Sequence, residues 1–315
     1  MKQKNFCRNT RFPKNMIITV NLNPCIDMQL TINSFIHGGL NRVKSVYKKC
    51  AGKGINVAIV LKNLGLDPLC TGFTFSETKH EFEKMLNEQC VNYDFIESEG
   101  SARTNIKLFE NDTKTMTEIN QSGPYVPKKA QDELLSKIKH LPSGILILSG
   151  SRPPGVEYDF YTHISKLYSG CIALDADGDA FKHTIENHPP FLIKPNIYEL
   201  ESTFNIKLPT IKDIIHFCKE LISKGIEIIC CSMGTDGAVL VTKDDYFHLP
   251  AIPVEVKGLQ GAGDSMLAGL IYGIKKDVKG ETLLQHGLAA AASSVSLDGS
   301  ELCTKEIFEG FFVVS

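Results

Sequence analysis

Short runs of β-branched and aliphatic residues recur along the chain and are typical of strands that are buried on both faces. They are MIITVNL at 16–22, ILILS at 145–149, CIAL at 171–174, FLIK at 191–194, IEIICC at 226–231 and AVLVT at 238–242. Helical patterns lie between many of them, such as the apolar residues spaced i, i+3, i+4 and i+7 from Val57 to Leu64 and the segment IKDIIHFCKELISKG, which ends at Gly225. Strands that alternate with helices predict an α/β fold with a central, mostly parallel sheet flanked by helices on both faces.

Two stretches, near 27–50 and 92–126, break this alternation. Polar and apolar residues alternate in RTNIKLFEND, and turn signals follow at Asn111-Asp112 and Gly123-Pro124. These features predict antiparallel strands that form a small β lid at the end of the sheet where ligands bind.

No linker rich in proline, glycine or serine divides the chain, so residues 16–315 are predicted to form a single domain. The preceding residues 1–15 contain five basic residues, no acid and no apolar core of the kind that a secretory signal needs. We expect a disordered N-terminal extension there, with an amphipathic organelle-targeting segment as the alternative.

Composition narrows the class of protein. The 315 residues are 43% hydrophobic and 22% charged, as in ordinary globular proteins, and the net charge of −2 gives no reason to expect nucleic-acid or membrane binding. No run approaches the roughly 18 apolar residues of a membrane span, so a cytoplasmic protein is expected. The ten cysteines are scattered without a C-x-x-C pair, which favours reduced core thiols over a zinc site.

Two glycine-rich turns lead directly into helical patterns, and both are candidate phosphate sites. One is AGKGINVAIVLKNLG from Ala51, and the other is LQGAGDSMLAGLIYGI at 259–274. A helix N-terminus presents unpaired N–H groups and a partial positive charge, which glycines allow an anion to approach. The alternative is a tight turn in which Asp264 is simply a helix-start acid. Neither segment is a dinucleotide fingerprint or a Walker A loop, which disfavours a nicotinamide-linked dehydrogenase.

Seven motifs occur in the order that is typical of one enzyme family. They are NPCID (23–27), AGKGINVA (51–58), SARTNIKL (101–108), LSGSRPPG (148–155), LIKPNIYEL (192–200), SMGTDGAV (232–239) and QGAGDSMLAGLIYG (260–273). Together they resemble the PfkB (ribokinase-like) carbohydrate kinases over essentially all of residues 16–300. The resemblance implies an ATP-dependent kinase and is strongest to the branch that converts fructose 1-phosphate to fructose 1,6-bisphosphate. Tagatose 6-phosphate and fructose 6-phosphate remain alternative acceptors, and a catalytically silent sugar- or nucleotide-binding regulator is a further alternative.

The resemblance also assigns residues to phosphoryl transfer. It makes Asp264 the base that accepts the proton of the acceptor hydroxyl, beside an anion hole formed by the N–H groups of Gly261, Ala262 and Gly263. Asp27 is matched to the residue that binds the sugar hydroxyls. The other residues predicted to contact the phosphosugar are Gly52, Lys53, Gly54, Asn56, Arg103 and Lys107. The three cations among them suit the phosphate that the substrate already carries.

The nucleotide side is implied by two segments that follow predicted strands. The residues assigned to ATP are Lys194, Asn196, Ser232, Met233, Gly234, Thr235, Asp236 and Gly237, together with Gly263. Glu199 is implied to hold Mg²⁺, in part through water, because Mg²⁺ prefers few carboxylates with water and phosphate oxygens. Relatives often dimerise through the lid, which suggests a homodimer here.

The sequence departs from the family pattern at two places near these motifs. Gly258, Leu259 and Gln260 stand where relatives often carry Asp-Thr or Ser-Thr before the Gly-Ala-Gly-Asp segment, and Arg152 stands where leucine is usual. The acidic segment DADGDAF at 175–181 is given no role.

Overall fold

A computed structural model describes residues 16–299 and 301–312. The predicted N-terminal extension, residues 1–15, lies outside the described residues, as do Ser300 and 313–315.

Strands and helices follow one another along the chain with short connections. The strands are β1 Ile17–Asn21, β2 Cys25–Ile32, β3 Ser45–Ala51, β4 Leu69–Phe75, β5 Asn92–Ser98, β6 Arg103–Glu110, β7 Thr115–Asn120, β8 Ile145–Ser149, β9 Cys171–Asp175, β10 Leu192–Ile193, β11 Ile228–Ser232, β12 Ala238–Thr242 and β13 Tyr246–Leu249. The helices are α1 Lys53–Asn63, α2 Lys79–Glu88, α3 Lys128–His140, α4 Phe160–Leu167, α5 Gly178–Asn187, α6 Ile197–Phe204, α7 Ile211–Ser223, α8 Ala262–Lys275, α9 Gly280–Val295 and α10 Lys305–Gly310. A short 3₁₀ helix spans Gly234–Asp236.

The larger sheet has the strand order β13-β12-β11-β10-β9-β8-β1-β4-β5. From β11 to β5 all neighbours pair in parallel, and the hairpin β12–β13 adds an antiparallel edge, so the predicted mostly parallel sheet is confirmed. The strands β1, β8, β9, β10 and β11 therefore end at one edge of the sheet, where an open α/β sheet binds ligands.

Helices cover both faces of this sheet because neighbouring residues of its strands point to opposite sides. Ile17 packs into a core with α1, α2, α8 and α9, while Ile18 and Val20 pack into the other core with α3 to α7. The predicted helices in Val57–Leu64 and 211–225 are confirmed as α1 and α7.

The smaller sheet has the order β3-β2-β6-β7, and these four strands are called the lid. Its two outer pairs are antiparallel, as predicted, whereas the central pair β2–β6 is parallel. The prediction that lid residues begin near 92 was wrong for residues 92–98. They form β5, which pairs in parallel with β4 at the edge of the larger sheet, because the connection through α2 returns the chain to that edge.

The cysteines agree with the expectation of reduced thiols. Of the ten, Cys7 lies outside the described residues, and none of the other nine forms a disulfide in the described part of the chain. Eight of these nine are buried, and Cys90 is exposed. Among the described helices, none combines the length and the apolar character needed to cross a membrane.

Candidate active site

The glycine-rich turn before α8 presents its carboxylate to a buried site. Gly261 caps the helix with a left-handed backbone (φ 69°), which glycine adopts without strain, and Asp264 lies in the first helical turn. Only 6% of Asp264 is exposed. The N–H groups at this end of the helix and the carboxylate are therefore brought together as predicted, although their roles remain a prediction.

The surroundings of Asp264 set its protonation. Burial raises its pKa from 3.8 to about 6, and the negative charge of Asp175 adds to the rise. The positive charge of Lys53 and a 2.7 Å hydrogen bond from Asn56 Nδ2 to Asp264 Oδ2 act in the opposite direction. Asp264 is thus mostly ionised at neutral pH, as a general base must be, yet it is basic enough to accept a proton.

Sequence reasoning missed one carboxylate in this cluster. Asp175 ends β9 and is 1% exposed, and its Oδ1 lies 3.4 Å from Lys53 Nζ and 3.5 Å from Lys194 Nζ. Burial opposes its ionisation, but the two ammonium groups outweigh burial and lower its pKa. The sequence did contain a signal for Asp175. It is the first residue of DADGDAF and directly follows the apolar run CIAL, at the edge where a parallel sheet binds ligands.

Lys53 lies between two carboxylates. Besides Asp175, it contacts Glu199 Oε1 at 3.7 Å, and the charge of Asp175 raises the pKa of Lys53, so this lysine stays protonated. Glu199 also forms a capping box at the start of α6. Its Oε2 accepts from the Asn196 N–H at 2.9 Å, and its own N–H donates to Asn196 Oδ1 at 2.8 Å.

Two carboxylates near Lys53 are candidates for holding the predicted magnesium ion. Asp175 and Glu199 both place an oxygen within 4 Å of the same ammonium group, and hard carboxylate oxygens are the ligands that Mg²⁺ takes beside water and phosphate. The predicted metal residue Glu199 is therefore joined by a second acid.

On the lid side, Asp27 is held by neighbouring strands. It is 7% exposed, and Lys107 Nζ donates to its Oδ2, while Asn105 Nδ2 donates to its Oδ1 at 3.2 Å. Lys107 is itself 6% exposed and also donates to Gln260 Oε1. Asn105 was not singled out from the sequence, although it belongs to the quoted segment SARTNIKL.

Arg103 stands at the base of the lid. Its Nε donates to the Asn23 carbonyl at 3.4 Å, and its Nη1 donates to Asn105 Oδ1 at 3.3 Å and to the Gln121 carbonyl at 3.2 Å. Arg103 lies two residues before Asn105 on β6, and Asn105 is paired with Asp27 on β2. Because residues two apart on a strand point to the same side, the Arg103 side chain lies on the same lid face as Asp27.

Two glycines at the start of α1 allow the chain to pass close to β1. A Cβ at Gly52, whose φ is 131°, would lie 2.5 Å from Asn21 Oδ1, and one at Gly54 would lie 2.8 Å from the Val20 carbonyl oxygen. These glycines therefore bring Lys53 and Asn56 to the end of β1.

The predicted nucleotide segments lie side by side. Asn196 and Ser232 form a parallel bridge, and the Ser232 N–H donates to the Pro195 carbonyl at 3.0 Å. Beyond Ser232 the predicted residues Met233, Gly234, Thr235 and Asp236 form an accessible turn that Gly237 closes. A Cβ at Gly263 would be 3.5 Å from Lys194 Nζ, which links this side to the α8 turn.

The two departures from the family pattern differ in position. Arg152 Nη1 donates to the Val156 carbonyl at 2.6 Å and so fastens its own loop. Leu259 is 75% exposed, whereas Gln260 faces the lid.

The chain is similar to known carbohydrate kinases in sequence and in fold. Residues 16–307 match the sequence profile described as pfkB family carbohydrate kinase. A 1-phosphofructokinase of Borreliella burgdorferi is 34% identical over 283 residues, covering 89% of this chain and 91% of that protein. A D-tagatose-1-phosphate kinase of Bacillus licheniformis is also 34% identical, covering 88% and 91%. The crystal structure of phosphofructokinase-2 from Escherichia coli in complex with potassium superposes with a TM-score of 0.91 at 23% identity, over 95% of this chain and 98% of that chain, and shows the same fold.

Proposed function

Because the chain belongs to the pfkB family of carbohydrate kinases, we propose that residues 16–315 act as one domain that transfers the γ-phosphoryl group of ATP to a ketohexose phosphate. Fructose 1-phosphate is the proposed acceptor, and fructose 1,6-bisphosphate the product. Relatives named 1-phosphofructokinase at 31–34% identity support this choice. A kinase that uses ATP and phosphosugars is expected in the cytoplasm.

The observation that carries the proposal is the buried carboxylate of Asp264 at the N-terminus of α8, directly beside a lysine-rich cluster at the ligand edge of the sheet. In the proposed reaction, Asp264 takes the proton of the acceptor hydroxyl as that oxygen bonds to the γ-phosphorus. The N–H groups of Gly261, Ala262 and Gly263 stabilise the charge on the transferring group, and the bond from phosphorus to the ADP oxygen breaks.

The sugar side is assigned to the lid and to α1. Asp27 accepts hydrogen bonds from the sugar hydroxyls, and Arg103 with Lys53 binds the phosphate of the substrate through charge-assisted hydrogen bonds. Lys107 is engaged by Asp27 and Gln260, so we assign it to orienting Asp27 rather than to binding the phosphate.

The nucleotide side is assigned to the segments after β10 and β11. Lys194 and Asn196 approach the ATP phosphates, and residues 232–237 line the nucleotide along the accessible turn. Asp175 and Glu199 would hold Mg²⁺, which neutralises phosphate charge when it is bound.

A tagatose phosphate is the second acceptor that we consider, since a D-tagatose-1-phosphate kinase is as similar to this chain as the first relative. The test is to measure kcat/KM by coupled ADP release with the 1-phosphates and the 6-phosphates of fructose and tagatose. The highest value is expected for fructose 1-phosphate. Release of no ADP with any of the four would favour a silent regulator and refute the kinase.

Substrate-phosphate recognition can be tested separately. Arg103→Ala should raise KM for the phosphosugar about tenfold or more while KM for ATP stays within about twofold, because a charge-assisted hydrogen bond contributes about 1.5–3 kcal/mol. Arg42→Ala, at an exposed position between β2 and β3, is the matched control. A larger effect on ATP would refute this placement of Arg103.

We also propose that the enzyme dimerises through the lid. The lid face opposite Asp27 carries Met28 and Ile106 and, more than half exposed, Val46 at 57% and Ile119 at 56%. Burying these side chains against a second lid would stabilise a dimer. Sedimentation should show a dimer that Ile119→Asp dissociates, and a wild-type monomer would refute the proposal.

A further inference from the structure

The side chain of Gln260 connects the lid to the turn that begins α8. Its Oε1 accepts a hydrogen bond from Lys107 Nζ, and its Nε2 donates to Glu118 Oε1 at 2.9 Å. Lys107 and Glu118 face each other across the β6–β7 pair. A single amide therefore contacts two neighbouring lid strands at once, and we call Gln260, Lys107 and Glu118 the lid bridge.

The chemistry of the lid bridge requires an amide at position 260. Lys107 offers only donors, and the Glu118 carboxylate offers only acceptors. A glutamine side chain supplies one acceptor and one donor group, so it satisfies both partners, whereas a glutamate would turn a negative charge toward Glu118.

The lid bridge also reaches the sugar side of the site. Lys107 is buried, and it donates to Asp27 as well as to Gln260. Gln260 is adjacent in sequence to Gly261, which begins the turn that carries Asp264. One chain of contacts thus joins the residue proposed to bind the acceptor sugar with the turn that carries the proposed base.

We propose that Gln260 is a positioning residue that holds the lid against the α8 turn and thereby sets the separation between Asp27 and Asp264. This inference rests on the proposed kinase function. When the bridge is weakened, the acceptor hydroxyl is held less well against Asp264, and water enters the site beside the γ-phosphoryl group.

The kinetic test is a double-mutant cycle. Gln260→Glu should raise KM for fructose 1-phosphate about tenfold, the equivalent of about 1.4 kcal/mol, with a smaller fall in kcat and KM for ATP within about twofold. It should also increase ATP hydrolysis without phosphosugar. The variant that combines Gln260→Glu with Glu118→Gln restores one donor and one acceptor, so its KM should return to within about threefold of the wild type.

Two controls define the result. Leu259→Ala changes the exposed neighbour of Gln260 and should leave both KM values, kcat and ATP hydrolysis unchanged. Glu118→Gln alone measures the second arm of the cycle. If the change in KM of the double variant equals the product of the two single changes, the two residues act independently and the proposal is overturned. A Gln260→Glu enzyme with wild-type KM and wild-type ATP hydrolysis would also overturn it.

A second measurement does not depend on activity. Hydrogen–deuterium exchange of residues 115–120, without substrates, should be faster in Gln260→Glu than in the wild type and should recover in the double variant. Unchanged exchange in Gln260→Glu would overturn the lid bridge. A wild-type protein that released no ADP with any phosphosugar would instead refute the kinase, and the exchange experiment would still test the bridge.

Discussion

The buried carboxylate of Asp264 leads to a prediction in which activity and stability change in opposite directions. Asp264→Asn keeps the shape of the side chain and an acceptor for the Asn56 amide, but it removes the group proposed to accept the proton. We expect the rate of phosphoryl transfer to fall about 10²–10⁴-fold, the contribution typical of a general base. The same substitution should increase the free energy of unfolding at neutral pH.

The magnitude follows from the pKa of Asp264 in the folded protein. Folding raises this pKa from 3.8 to about 6, so the ionised carboxylate is less favourable in the folded chain than in the unfolded one. Because the folded pKa is the higher one, this penalty is absent below pH 3.8, grows as the pH rises from 3.8 to about 6, and is complete above the folded pKa. A shift of about two pKa units corresponds to roughly 3 kcal/mol above pH 7 and to about half of that at pH 5.

The assay is urea unfolding of the wild type and Asp264→Asn between pH 5 and pH 7.5, with ADP release measured on the same samples. Asp179→Asn is the matched control, because Asp179 also lies in the first turn of a helix but is exposed, so it should give no gain in stability. An inactive Asp264→Asn protein that is no more stable than the wild type at pH 7.5 would refute the electrostatic account. Near-normal turnover would refute Asp264 as the base.

Three further substitutions or profiles test the remaining parts of the site. The kcat/KM of the wild type should fall below about pH 6 as Asp264 becomes protonated, and a flat profile from pH 5 to 8 would contradict its role. Lys107→Met leaves the buried carboxylate of Asp27 without its cation, so urea unfolding should show a free energy of unfolding lower by about 3 kcal/mol. Lys48→Met removes one partner of an exposed ion pair and should change this free energy by less than about 1 kcal/mol. Gly237→Ala should destabilise the protein and raise KM for ATP, because the new Cβ would lie 2.0 Å from a backbone oxygen. Gly234 has open space around it, so Gly234→Ala should lower the free energy of unfolding by only about 1–2 kcal/mol, the cost of its left-handed backbone.

The strands that could be predicted from the sequence are those with continuous apolar runs. β1, β8, β9, β11 and β12 fall within one or two residues of the predicted runs, because burial on both faces leaves a signal that needs no knowledge of the partner strand. β4 was not predicted. It contains Gly72, where a Cβ would lie 2.0 Å from the Asn21 carbonyl oxygen, so close packing against β1 requires a residue that weakens the strand signal.

The active site was predictable where a local motif carries the chemistry. Asp264 stands out beside its own glycine turn. Asp175 does not, because its partners are Lys53, 122 residues away, and Lys194, and only the closed sheet brings these three charges together. Gln260 was visible as a departure from the family pattern, but its contacts with the lid depend on the placement of β6 and β7.

The short connection between β1 and β2 determines where the lid can move. Only residues 22–24 separate β1 of the large sheet from β2, the first lid strand, and residue 52 alone separates β3 from α1. A rotation about these connections displaces each lid atom in proportion to its distance from them. At about 3.3 Å per residue, a turn of about 10° would move Asp27 by only 1–2 Å but the far end of β2 by about 4 Å. Asp27, the residue proposed to bind the sugar hydroxyls, thus lies close to the axis of rotation, so opening the lid would displace it much less than the outer end of the lid.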